Sequence, residues 1–237
     1  MSDRFYVQGE WNESVTLTGS EAQHLSKVLR KQVGDSVELF DGRGWSANAI
    51  VKEVSRREVE LTLETEPTQS AIPKYKLVLA VAPPKGDRFR WLIEKATELG
   101  VHAVIPVQTE RSVVRPGETK LEKLHQTMIA ACKQCGRNQF MEIGAPTTLA
   151  QLCESHNPRQ AAYFGAIPAP EQTETPRVSS AETTLFIGPE GGFSDEEINS
   201  LLSINAQPIS VSPYVLRVET ASIAVISVLS HSFGRQL

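Results

Sequence analysis

Two short segments in the C-terminal third carry the residues best suited to hold a ligand. In FIGPEGGFSDEEI (186–198) an apolar run enters Gly188, then Gly191 and Gly192, and a polar stretch follows. Glycine at a strand end lets backbone approach a ligand closely or adopt a positive φ. The pattern is neither G-x-G-x-x-G nor a glycine loop ending in G-K-S/T, so dinucleotide and P-loop signatures do not fit. Ser194 and Glu197 have the spacing of a capping box, with Asp195 and Glu196 between them. Carboxylates thus already occupy the helix end that favours negative charge. A phosphate there would meet like charge, whereas a neutral or cationic ligand, such as a sulfonium, would not. The plain alternative is a tight strand-to-helix turn that binds nothing.

The second segment is SPYVLRVETAS (212–222), where Arg217 and Glu219 sit among Leu216, Val218 and Ala221. Charged residues embedded so closely in apolar sequence are often paired or functional. Thr220 or Ser222 can cap a helix starting near 220, with Glu219 favourable at its N-terminus. An ordinary strand–loop–helix connection accounts for the same pattern. Cys132 and Cys135 form a C-x-x-C, and the chain has 3 cysteines in all. A zinc site takes about four ligands, and no second pair or nearby histidine completes this one, so no metal is expected. The odd count argues against a disulfide framework.

The elements that must position these residues fall into two patterns. Residues 1–66 read as short strands: Val15 and Leu17 alternate with polar residues, SVELF (36–40) leads into a DGRGW turn (41–45), and SANAIVKEV and EVELTLE continue the alternation. One helix interrupts at 21–30, with Ala22, Leu25, Val28 and Leu29 on one face. Short strands around one helix suggest a small barrel. TEPTQSAIPKY (65–75), with two prolines and few apolar residues, is the linker. Beyond it strands alternate with helices. KLVLAVA (76–82) is followed by a helix from Asp87 that buries Phe89, Leu92, Ile93, Ala96 and Leu99 and stops at Gly100. VHAVIPV (101–107), a helix over 118–134 burying Leu121, Leu124, Met128, Ile129 and Cys132, AAYFG (161–165), TLFIG (184–188), a helix over 195–204, PISV (208–211) and a final helix from about 220 complete the series. This βα alternation predicts an α/β fold with a mostly parallel sheet. The expected domains are 1–68 and 75–237.

The 237 residues carry a formal net charge of -4, but residues 1–140 hold 20 basic and 18 acidic side chains against 4 and 10 in residues 141–237. Local clusters at Lys27, Arg30 and Lys31, at Lys85, Arg88 and Arg90, at Arg111 and Arg115, and at Lys133 and Arg137 offer positive charge where the total does not. On charge alone, solvated surface residues are the better explanation. No apolar run approaches the roughly 20 residues of a membrane-spanning helix. MSDRFYVQGEW lacks a secretory h-region, and the expected location is cytoplasmic.

GPEGGFSDEE and VLRVETAS, in that order and spacing, resemble the SPOUT superfamily, and within it the bacterial 16S ribosomal RNA uracil-N3 methyltransferases. The resemblance extends over nearly the whole chain, through HLSKVLR (24–30), LFDGRG (39–44), KGDRFRWLIEKATELGV (85–101), TERSVV (109–114) and AACKQCGRN (130–138). It implies an N-terminal PUA-like β-barrel that grips RNA and a C-terminal SPOUT-type α/β domain with a trefoil knot over about 184–230. It further implies S-adenosyl-L-methionine as cofactor, a homodimer, and 16S ribosomal RNA of the small subunit, modified near the decoding region, as substrate. Carried over by motif, the cofactor would lie against Ile187, Gly188, Glu190, Gly191, Gly192, Val211, Val215, Leu216 and Thr220. One departure stands out: Val211-Ser212 occupy the place of the family's usual Leu-Gly.

Methylation at uracil N3 needs a proton acceptor and stabilisation of charge spreading onto O2 and O4. Arg217 is the expected source of positive charge. Glu219 either accepts the proton or orients Arg217. Lys27, Arg30, Lys31, Arg88, Arg111 and Arg137 are the expected RNA-backbone contacts. Two rival readings remain at this level: a SPOUT enzyme acting on another RNA position or on tRNA, and a non-enzymatic RNA-binding or ribosome-assembly adaptor.

Overall fold

A computed structural model describes residues 3–9, 11–71, 73–114, 121–166 and 181–234. Arg115 and most of the loop between 166 and 182 lie outside the described residues. Two compact units emerge: the described residues through Ala71 together with Ile129–Phe140, and Pro73–Met128 together with the chain from Met141 onward.

The first unit holds β1 (Arg4–Tyr6), β2 (Ser14–Thr18), β3 (Ser36–Phe40), β4 (Trp45–Val54), β5 (Glu58–Leu63) and β6 (Thr68–Gln69). The pairing order is β1-β3-β4-β5-β2, with β6 on β4. Phe5 from one end of that order and Val15 and Leu17 from the other share one core with Val37, Leu39 and Leu61. A sheet whose end strands bury into the same core must curl around it. The expected linker therefore begins later than 65, because Thr68 and Gln69 pair with Ser46 and Trp45.

The helix expected over 21–30 is shorter and differently wound. α1 (Gly19–Gln23) passes into a π-helical turn over His24–Val28. The Leu29 N–H donates to His24 O at 3.0 Å and the Lys31 N–H to Leu25 O at 3.1 Å. The wider turn breaks the 3.6-residue spacing, so Leu25 is fully buried while Val28, expected on the same face, is 63% exposed. Arg30 then takes a φ of 54°, the left-handed conformation in which a helix end usually has glycine.

Residues 129–140, expected within the second domain, pack in the first unit, and the contacts explain the AACKQCGRN segment. Arg4 Nη1 donates to Cys132 O at 2.9 Å, and Arg4 also bonds the Asn138 side chain. Lys133 Nζ meets Glu21 at 2.8 Å. Phe140 lies over Gly42 so closely that a Cβ there would sit 2.4 Å from its ring. Burial pushes the Cys132 thiol up to about 11, so it stays protonated at neutral pH.

The second unit contains β7 (Lys76–Val81), α2 (Arg88–Glu98), β8 (Ala103–Gln108), the first half of α3 (Leu121–Cys135), β9 (Glu142–Ile143), β10 (Thr147–Thr148), α4 (Leu149–Glu154), β11 (Ala161–Gly165), β12 (Glu182–Ile187), α5 (Asp195–Ser203), β13 (Gln207–Ile209) and α6 (Val218–Gly234). The strands pair in parallel in the order β10-β8-β7-β12-β11-β13, with β9 also on β8. Leu77, Leu79, Ala80 and Val81 are all buried, as a strand covered on both faces requires. The chain reaches β11, doubles back to insert β12 beside β7, then passes β11 again to place β13 at the edge. The carboxyl ends of β11, β12 and β13 are thereby adjacent, the position at which open α/β sheets hold ligands. The short β9, β10 and α4 have too few residues to show a period in the sequence. Leu121, expected in the core, is 51% exposed at the start of α3.

Candidate functional site

Three loops leave those three strand ends and enclose one cleft. The first contributes Gly165, the last residue of β11, and Ala166 after it. It carries the same signal as Gly188, an apolar strand running into glycine, and was missed because the following loop offers no second motif. The second loop, after β12, contributes Ile187, Gly188, Glu190, Gly192 and Phe193. The third, after β13, contributes Ser210, Val211, Ser212, Tyr214, Val215 and Leu216, and α6 closes the cleft with Val218, Ala221 and Val225.

The backbone of the second loop is tightly determined. Gly192 has a φ of 71°, and its N–H donates to Pro189 O at 2.9 Å. A Cβ on Gly188 would lie 3.2 Å from the Phe193 ring. Ser194 and Glu197 form the expected capping box at the start of α5. Glu197 also accepts the Glu110 N–H at 2.8 Å, which ties the TERSVV segment to this helix. Arg111 completes that tie, its Nη1 donating to Gly191 O at 2.9 Å and to Phe193 O at 3.3 Å. Gly191 and Thr220 do not line the cleft: Gly191 backs onto Arg111, and Thr220 is exposed on the first turn of α6.

In the third loop the serine that departs from the family pattern makes the turn itself. Ser212 Oγ accepts the Tyr214 N–H at 3.1 Å, and Ser212 O accepts the Ser210 hydroxyl at 3.1 Å. The loop then presents Tyr214 and Val215 at 76% and 73% exposure.

α6 begins at Val218, two residues earlier than expected, because Arg217 O already accepts the Ala221 N–H at 2.8 Å. Neither Thr220 nor Ser222 caps it; the Ser222 hydroxyl is fully buried and donates back to Val218 O. This start sets Glu219 in the first turn, where the helix dipole favours a carboxylate. Glu219 is only 8% exposed. Its partner is not Arg217 but Arg88, whose Nη1 lies 3.7 Å from Glu219 Oε1 and 3.5 Å from Glu190 Oε1. Arg88 is the first residue of α2, a cation at the unfavourable end of a dipole, and the two carboxylates offset that placement. Glu219 Oε2 is buried without a hydrogen-bond partner among the described residues. Arg217 is exposed, with no ion pair among the described residues.

The expected RNA contacts sort by partner. Lys27 and Arg30 are exposed. Lys31 pairs with Asp3 at 2.5 Å. Arg137 is half-buried and donates to Gln139 O at 2.6 Å. Arg88 and Arg111 brace the cleft as described. Charge clustering located all six but carries no information about which carboxylates and carbonyls lie opposite them.

Residues 71–230 match the family model described as an RNA methyltransferase domain, and residues 17–64 match an RNA methyltransferase PUA domain. The chain is 34% identical over 223 residues to the ribosomal RNA small subunit methyltransferase E of Synechocystis, covering 88% of this chain and 70% of that protein. A Legionella pneumophila protein described as a methyltransferase, solved with bound SAM, superposes with a TM-score of 0.84 at 32% identity, over 98% of both chains. The Neisseria gonorrhoeae ribosomal RNA small subunit methyltransferase E, solved with S-adenosyl methionine, superposes at 0.85 and 25% identity, again over 98% of each. By sequence over most of its length and by the superposition of both units' elements on these structures, the chain belongs to the ribosomal RNA small subunit methyltransferase E family.

Proposed function

We propose that the protein transfers a methyl group from S-adenosyl-L-methionine to N3 of a uracil in 16S ribosomal RNA, near the decoding region of the small subunit, in the cytoplasm. The observation that carries this reading is the cleft's lining: mostly small and apolar residues, with Glu190 as the one charged residue among those described. A carboxylate in an otherwise neutral pocket suits a ligand that carries positive charge and repels a free phosphate. Of the residues expected to hold the cofactor, Ile187, Gly188, Glu190, Gly192, Val211, Val215 and Leu216 line the cleft. Gly188 and Gly192 fit the role because side chains there would crowd Phe193 or strain the backbone.

When bound, the cofactor supplies an electrophilic methyl on a sulfonium sulfur. N3 of uracil is a poor nucleophile until its proton leaves, and Glu219, the buried carboxylate paired with Arg88, is the proposed acceptor. Arg217 contributes positive charge to the anion spreading over O2 and O4. N3 lies on the Watson–Crick edge, so the target base must be unpaired or flipped out. The exposed Tyr214 and Val215 at the cleft's edge support a homodimer in which a second copy covers this loop. The doubling back of β12 and β13 supports the trefoil knot proposed over about 184–230.

Calorimetry of the purified protein with S-adenosyl-L-methionine, followed by mass spectrometry of ribosomal RNA from cells lacking it, tests the reading. Saturable heat and a missing 3-methyluridine are expected. Absence of cofactor binding leaves the adaptor reading in its place, and loss of a methyl elsewhere moves the target.

Lys27 and Arg30 are the proposed RNA-backbone contacts of the first unit. Arg30→Gly is expected to raise stability by about 1 kcal/mol, because glycine relieves the left-handed strain at the helix end. The same change is expected to weaken RNA binding and flatten its salt dependence. A variant that melts higher and binds RNA as before would remove Arg30 from the interface.

A further inference from the structure

The first unit has a cleft of its own, far in sequence from the methylation loops. Trp11 and Asn12 line one side, Asp41, Arg43 and Trp45 another, and Gly9 and Pro67 complete it. Two of the chain's 3 tryptophans therefore meet in one small depression. Trp45 is 40% exposed. Trp11 packs partly against the core, and its indole Nε1 is hidden without a hydrogen-bond acceptor among the described residues.

The walls are rigid. Asp41 is 8% exposed, and its Oδ1 accepts the N–H of Arg43 at 2.7 Å and of Trp45 at 3.0 Å. Its Oδ2 pairs with Arg43 Nε at 3.2 Å. The acid is thus neutralised and spent on fixing the turn between β3 and β4. Gly42, at a φ of 73°, seats that turn on Phe140, whose N–H donates to Gly42 O at 2.8 Å. Arg43 spans the cleft with Nη2 3.3 Å from Gly9 O, while its side chain stays 69% exposed.

This set of groups suits a flat, uncharged ring with a polar edge. Indole faces stack on any nucleobase, the Asn12 amide offers both a donor and an acceptor to a base edge, and Arg43 can meet the adjoining phosphate. A free phosphate would meet Arg43 alone and leave the two indoles and the Asn12 amide unused. A base within a duplex is excluded because its faces are covered. We propose that this cleft is a stacking subsite for one unpaired nucleobase of the RNA substrate, placed on the first unit and separate from the base that is methylated. The proposal rests on the RNA-modifying function above and adds a sequence-tolerant grip to it. Tryptophan-lined clefts also take proline-rich peptides, but the match of residues 17–64 to an RNA methyltransferase PUA domain, together with the exposed guanidinium, favours RNA.

The test uses the full chain and a single-stranded oligouridylate of twelve nucleotides, read by tryptophan fluorescence and by anisotropy of a labelled strand. Trp45→Ala is expected to weaken binding about tenfold, the range of one lost base stack, and Trp45→Phe to recover most of it. A strand of the same length with abasic riboses should bind wild type and Trp45→Ala alike. Arg43→Ala should lower the slope of log K against log salt by about 0.7. Cofactor heat should be the same in all variants, because Trp45 and Arg43 lie outside the methylation cleft. Equal affinity of Trp45→Ala and wild type for oligouridylate overturns the subsite and leaves the methyltransferase reading standing. Displacement of the strand by a proline-rich decapeptide overturns the nucleobase assignment. No binding of oligouridylate by wild type, with cofactor heat intact, also overturns it; no cofactor heat overturns the function on which it rests.

Discussion

Arg217→Ala is expected to slow methyl transfer by about a hundred- to a thousandfold, the loss seen when one preorganised group that stabilises developing negative charge is removed. The same variant should melt within about 0.5 kcal/mol of wild type, as surface substitutions away from caps and networks do. The two halves of this result follow from one observation. The Arg217 side chain is exposed, and only its backbone carbonyl takes part in the start of α6. Truncation at Cβ leaves that carbonyl, and with it the helix start, unchanged. Single-turnover transfer at saturating cofactor reads the rate, thermal denaturation reads the fold, and calorimetry reads the cofactor site. A large fall in melting temperature would assign Arg217 a structural role, and unchanged turnover would take it out of the mechanism.

Much of the second unit was legible because its elements are long and buried. KLVLAVA, AAYFG and TLFIG announce themselves as apolar runs, and β7, β11 and β12 occupy those places. The capping box at Ser194 was legible because its whole signal lies within four residues. What stayed hidden depends on partners far away in sequence. Nothing in KGDRFR says that Arg88 will face Glu190 and Glu219, more than a hundred positions on. Nor does TERSVV say that Arg111 will hold the carbonyls of the glycine loop. Both were grouped with the RNA contacts because charge clustering sees only neighbours along the chain. The π-helical turn at His24–Val28 was invisible for a different reason: the residues fit a 3.6 period, and only the hydrogen bonds donated by the Leu29 and Lys31 N–H groups show that the period is broken.

The start of α6 shows how a two-residue shift changes the chemistry. A helix beginning near 220 leaves Glu219 in a loop beside Arg217, and the two read as a pair. A helix beginning at Val218 turns Glu219 inward, onto Arg88, and leaves Arg217 outside. The two charged residues of VLRVETAS therefore do not orient one another, and the alternative in which Glu219 serves Arg217 loses its contact.

That leaves Glu219 with a demanding position and an unexplained atom. A carboxylate with 8% exposure needs compensation, and the ion pair at 3.7 Å supplies it for one oxygen only. The other oxygen accepts no hydrogen bond from the described residues. Such a group is costly to keep unless a donor arrives in the working state, and the N3 proton of a bound uracil is a donor of the right kind. Glu219→Gln retains the shape but can neither hold the charge nor take a proton. It is expected to lower the rate of transfer by about two to four orders of magnitude, with the cofactor dissociation constant changed only severalfold, since Glu219 does not line the cleft. Arg88 keeps Glu190 as a partner in this variant, so the fold should survive. Arg88→Met supplies the complementary reading. Without its cation Glu219 is buried and unpaired, and stability should fall by about 3–5 kcal/mol. If Glu219→Gln transfers methyl at the wild-type rate while Arg88→Met is strongly destabilised, the pair holds loops together and the proton leaves by another route. If the first variant is inactive and folded, the orphaned oxygen is the acceptor.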